Sequence, residues 1–212
     1  MYNIKDYRKN NKFFKQNNLM KLKFLEKYSF KKNKLLLELK FRISFYIMNH
    51  KINLQRKLFS TNEKEVIEVL KNISEKGYPE IVTDLIGLYS SSQFENVRNQ
   101  ILFILSNLKD KNSVSYFING LKLETNPEIR TQLISACWQN GLDYSDYLEY
   151  FIEIITKESM FNSIEAFSVI EGNFTNLEES KIIELRNFVK KIKLETTGDN
   201  SKLLSEVENL IS

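Results

Sequence analysis

Thiol and imidazole chemistry is scarce in this chain: its 212 residues include one cysteine, Cys137, and one histidine, His50. Nucleophilic catalysis needs a nucleophile and a base within hydrogen-bond reach, with a third group orienting the base. His50 has no identifiable acid or nucleophile to serve it. Reactive thiols sit at helix N-termini or beside cations. Cys137 instead follows Leu133, Ile134 and Ala136 on an apolar helix face, near the helix end of the wrong sign, and reads as a small buried hydrophobe. One of each also excludes a His/Cys zinc cluster and an intramolecular disulfide, and points to a reducing, cytoplasmic compartment. No catalytic residue, metal site or cofactor is expected.

What remains is the chemistry of recognition. Asp84, then Tyr116 and Asn119, then Asp146, Glu149, Tyr150 and Glu153 fall opposite the apolar positions of three successive helical segments. A solvated face explains the charges by themselves. With the tyrosines, though, the surface suits a basic, partly aromatic peptide, because tyrosine supplies contact area at low entropic cost. Arg98 and Arg130 recur 32 residues apart and are expected to pair with an acid, Asp110 or Asp143, as a structural ladder. Trp138 is expected to pack between repeats rather than stack on a ligand.

The elements that would position these groups are helical. Two prolines and six glycines leave little turn material, and the runs between them are helix-length. Asn62 with Glu65 reads as an N-cap and capping box, Val66, Val69, Leu70 and Ile73 form one apolar face, and Gly77 closes the helix. Pro79 restarts the chain, and Ile81, Val82, Leu85, Ile86 and Leu88 form a return helix. A second hairpin opens at Glu95-Asn96-Val97-Arg98 and returns through Val114, Phe117, Ile118 and Leu121. A third opens at Asn126-Pro127-Glu128-Ile129-Arg130 and returns through Leu148, Phe151, Ile152 and Ile155. A fourth runs through Phe161, Ile164, Phe167 and Ile170, then through Ile182 to Ile192 after an Asn176/Glu179 cap. Val66, Val97, Ile129 and Phe161 are spaced by 31, 32 and 32 residues. Such self-similarity belongs to stacked helix pairs, since one pair cannot bury its apolar face alone.

Asn126-Pro127-Glu128-Ile129-Arg130, with Glu95-Asn96-Val97-Arg98 as a partial second copy, resembles the Asp/Asn-Pro-x-Val-Arg signature that opens one helix of a HEAT repeat. Ile67 and Asn162 stand where the family's arginine would be in the first and fourth copies. Tetratricopeptide and ankyrin repeats have similar lengths, but their signatures are absent. The resemblance covers roughly residues 62–193, and short bacterial HEAT-like repeats are similar in both length and motif. It implies an all-α fold, an armadillo-type α-solenoid of about four antiparallel hairpins over residues 48–198, with a capping helix at 199–212. It also implies a scaffold that holds a protein or peptide on the concave face of the second helices.

Residues 1–47 form a basic arm, with thirteen Lys or Arg against three Asp or Glu, and the remainder carries 18 against 24. The resulting charges are +10 and −6. This split motivates a rival expectation, a nucleic-acid-binding protein of the DNA-repair type that uses the arm. The acidic body argues against it. The arm is also expected either to fold back on the acidic face or to lie upstream of a true start at Met48. Leu37, Leu39, Phe41, Ile43, Phe45 and Ile47 alternate with polar residues as a strand would. No stretch is apolar enough to span a membrane.

Overall fold

The computed structural model describes residues 36–42, 45, 52–175, 177–194 and 196–211, most of them helical and the rest in turns and irregular links, with no strand among them. The chain divides into two compact units, Met1–Asn53 and Leu54–Ser212. In the first, residues 36–42 and 45 are helical and exposed, which corrects the strand suggested by their alternation. A helix satisfies its own backbone groups, whereas a strand needs a partner, and the Leu-Leu-Glu-Leu-Lys composition favours the helix. Residues 43, 44, 46 and 47 lie outside the described residues, as does His50.

In the second unit, residues 54–58 are helical and Leu58 is buried. Among the described residues nine α-helices follow: α1 Glu63–Lys76, α2 Val82–Ser91, α3 Glu95–Ser106, α4 Ser113–Leu123, α5 Pro127–Asn140, α6 Leu148–Lys157, α7 Met160–Phe174, α8 Glu179–Lys193 and α9 Asp199–Leu210. Short 3-10 turns, Pro79–Ile81 and Ser145–Tyr147, lead into α2 and α6.

The local signals act through specific bonds. Asn62 Oδ1 accepts from the amides of Lys64 and Glu65, at 3.0 and 3.4 Å. The reciprocal half of the capping box is rerouted: the Ser60 hydroxyl donates to Glu65 Oε2 at 2.6 Å and accepts from the Asn62 amide at 3.2 Å. Asn126 caps α5 in the same way, accepting from Glu128 and Ile129. Gly77 and Gly141 end α1 and α5 at φ 69° and 66°, where a side chain would strain the backbone. At α8 the expected cap is corrected. The N-cap residue is Glu178, which makes no side-chain cap bond, and Asn176 lies outside the described residues.

Packing alternates along the chain. The odd helices contact in succession, α1 with α3, α3 with α5, α5 with α7 and α7 with α9, while α2 contacts α4 and α6 contacts α8. The odd helices keep one buried register: Leu70, Ile101, Leu133 and Ala166 correspond, at offsets of 31, 32 and 33. The even helices keep another. Val82, Leu85, Ile86 and Tyr89 correspond to Val114, Phe117, Ile118 and Leu121, and these to Leu148, Phe151, Ile152 and Ile155.

The final odd offset corrects the fourth repeat by one residue. Phe161 is 75% exposed and Ile164 is also exposed, while Asn162 and Ser163 are buried. Hydropathy alone favours Phe161. The buried polar residues are tolerated because each is bonded: Asn162 donates to Glu158 at 2.8 Å and accepts from the Thr131 hydroxyl, and Ser163 donates to the carbonyls of Ser159 and Ile155. On α8 only Leu185 and Val189 of the expected face are buried, and Ile183 is exposed. In α9, Leu204 and Val207 are buried, and the helix packs on α6, α7 and α8.

Gly120 sets the approach of α4 to α2. A Cβ there would lie 2.6 Å from Ile86 Cδ1 and 3.2 Å from Ile86 Cβ, in a core where Ile86 has little room to move. Gly120→Ala is expected to cost about 1–3 kcal/mol by overpacking, despite alanine's better helix propensity. Urea denaturation measures it, and an unchanged or higher midpoint would contradict this packing.

Candidate partner-binding surface

The seven residues expected on the even helices divide by what already holds them. Asp84 is half-buried, and its Oδ2 accepts from Gln55 Nε2 at 2.7 Å. Glu153 pairs with Lys157 at 2.8 Å, an exposed i,i+4 contact of small energetic weight. Glu149 lies 3.8 Å from Lys181 of α8, whose ammonium is 2.7 Å from Glu184. Glu184 foremost, with Glu149 and Asp146 adding to it, holds the Lys181 ammonium above the ordinary lysine pKa. Tyr116, Asn119 and Asp146 are exposed, and among the described residues their side chains make no hydrogen bond.

Tyr150 is corrected from an open contact to an internal one. Its hydroxyl accepts from Arg130 at 3.3 Å, its ring lies 5.7 Å from that of Phe151, and the Lys122 ammonium sits 5.0 Å from its centroid. Burial pushes the phenol's pKa up, and Arg130 pulls in the opposite direction. Lys122 and Lys181 are the cations that sequence reasoning missed. Both sit on the acidic, tyrosine-bearing face, and only tertiary contact shows it.

The expected arginine ladder is corrected in its partners. Asp110 and Asp143 instead make local turns: Asp110 Oδ1 accepts from the Asn112 amide and side chain, and Asp143 Oδ1 accepts from the Ser145 amide. Arg98 donates to the Ser92 carbonyl at 2.8 Å, at the end of α2. Arg130 donates to the carbonyls of Leu121 and Glu124 at the end of α4, and pairs with Glu158 through Nε at 2.9 Å. Burial works against the Arg130 charge, but its bonds to Glu158 and Tyr150 outweigh this and raise its pKa. In the corrected register Ser163 occupies the same position and donates to Ile155, in the last turn of α6. The recurrent residue therefore caps the preceding even helix, where unpaired carbonyls and the negative dipole end attract a donor.

Cys137 is fully buried, and burial raises its thiol pKa, with a Tyr144 hydrogen bond opposing. Trp138 is 45% exposed and donates from Nε1 to Glu165 at 2.7 Å, tying α5 to α7. A groove of about 840 Å³ runs between α1 and α3, away from the even-helix face, with Ile67 and Phe103 among its lining. Its lining charges balance, two glutamates against two lysines, so it offers no charge selection. Among the described residues, no three His, Cys, Asp or Glu side chains group to hold a metal, and no helix is long and apolar enough to cross a membrane.

The Arg130 and Glu158 side chains are only 11% and 23% exposed, so removing the arginine strands a carboxylate and two carbonyls together. Arg130→Leu is expected to lower stability by about 2–3 kcal/mol, and Glu153→Ala by about 0–0.5 kcal/mol. Equal shifts in the denaturation midpoint would contradict this contrast.

No protein-family model matches the chain, and no curated protein matches it in sequence.

Proposed function

We propose that the chain is a non-enzymatic, HEAT-like α-solenoid that holds a basic protein or peptide segment along its even-numbered helices. The observation that carries the reading is the exposed set Tyr116, Asn119 and Asp146, whose side chains make no hydrogen bond among the described residues, beside the carboxylates Glu149 and Glu153. Alternate-helix contacts support the solenoid, because each unit buries its apolar faces against the next. Tyrosine and asparagine supply contact area and adaptable hydrogen bonds, and the acids steer a cationic partner. Lys181 competes for Glu149 and Lys157 for Glu153, so a partner cation gains most at Asp146.

The test is titration of the full chain with a fluorescein-labelled peptide rich in Arg and Tyr, alongside a labelled DNA duplex of equal length. The peptide is expected to bind with salt-sensitive affinity, weakened about tenfold by Asp146→Lys combined with Tyr116→Ala. Unchanged peptide affinity in that variant, or tighter binding of the duplex than of the peptide, would overturn the proposal.

A further inference from the structure

The even-helix register places three residues at one position, just before α2, α4 and α6: Tyr78, Asp110 and Tyr144. In the third repeat this position is a core element. The Tyr144 side chain is fully buried, its ring lies edge-on to Phe117 and Phe151 at 6.4 and 5.9 Å, and its hydroxyl accepts from the Asn140 amide at 3.1 Å. Phe117 corresponds to Leu85 one repeat earlier. The second repeat thus presents the same slot against Leu85 but supplies Asp110 where a ring would fill it. An aspartate is too short and too polar to enter, and it turns outward to cap the Asn112 amide.

A cavity of about 300 Å³ lies at that place, with Val82, Leu85, Ile104 and Leu108 in its apolar lining and Tyr78, Glu75, Lys109 and Asp110 among its polar groups. We propose that this slot is a binding site for a small phenol, whose ring takes the place that the Tyr144 side chain occupies in the next repeat. Apolar cavities of about 150 Å³ already admit benzene, so the volume suffices for a substituted ring. The apolar lining supplies the driving force, through burial of ring surface. Only Oδ1 of Asp110 is hydrogen-bonded among the described residues, which leaves Oδ2 to accept a phenolic hydroxyl in a charge-assisted bond. The ligand class follows from both features, an aromatic body for the slot and a neutral donor for the carboxylate. Glu75 and Asp110 against Lys109 leave the lining net negative, which disfavours a carboxylate or phosphate ligand.

The experiment titrates phenol, and benzene as the comparison, into methyl-labelled full-length protein. Saturable shifts are expected at the Val82, Leu85 and Leu108 methyl groups and not at Ile170, which is buried in α7. Phenol is expected to bind about tenfold more weakly to Asp110→Tyr and to Leu108→Phe, which fill the slot from its edge, and Asp110→Tyr should also raise the thermal midpoint. Asp110→Asn should weaken phenol and leave benzene unchanged. Shifts that do not saturate, shifts that appear equally at Ile170, affinity retained in both filling variants, or benzene binding as tightly as phenol would each overturn the assignment.

Discussion

The last carbonyls of an α-helix have no partner within the helix, and this chain satisfies them from the helix that follows. Arg98 bonds Ser92 at the end of α2, Arg130 bonds Leu121 and Glu124 at the end of α4, and Ser163 bonds Ile155 in the last turn of α6. At the end of α9 the donor comes instead from the preceding helix, where Arg186 of α8 bonds the carbonyl of Ile211, the C-cap residue of α9. Each of the first three bonds fixes the start of an odd helix against the end of an even one. The apolar registers of both sets depend on that placement, because a helix displaced by one residue turns its buried face away by about 100°.

Arg130 shows how much one such cap can gather. Its guanidinium reaches two carbonyls, a carboxylate and a phenol, in a planar fork that a lysine could not reproduce. Glu158 then receives Asn162, which receives Thr131, so α5, the α6–α7 turn and α7 share one polar network. Burial of Asn162 and Ser163 follows from this network rather than from hydrophobicity. A second join is aromatic: Tyr144 stands between Phe117 and Phe151, and Asn140 holds its hydroxyl while also bonding the Leu105 carbonyl. These joins are local and differ from repeat to repeat, which leaves a void at Asp110 where the third repeat has a ring.

Helix starts and stops were legible in the residues because their causes are local. Asn62 and Asn126 cap through bonds two and three residues along the chain, and Gly77 and Gly141 terminate helices through their own φ angles. The apolar faces of α1 to α6 follow from spacing, since Val66, Val97, Phe117 and Phe151 recur where one side of a helix must be buried. The face of α7 was not legible. Its apolar residues occur on both sides, and spacing cannot rank Phe161 above Asn162 once a hydrogen-bond network rewards burying the polar one. Of the seven residues expected to face outward, Tyr116, Asn119 and Asp146 are exposed, whereas Tyr150, Asp84, Glu149 and Glu153 have internal partners.

The sequence by itself determined that the described residues are mostly helical, where most of their helices begin and end, and that a lone cysteine and a lone histidine allow neither a His/Cys cluster nor an intramolecular disulfide. Each of these depends on residue identity or on interactions within a few positions. Only the tertiary structure decided which groups pair over 28 to 42 residues: Arg130 with Glu158, Gln55 with Asp84, Asn200 with the Glu158 carbonyl, and Lys181 with Glu149. The arginine at 130 had Asp110, Asp143 and Glu158 all available to it by charge. Sign alone does not choose among them, whereas the position of α5 against the ends of α4 and α6 leaves only Glu158 within reach.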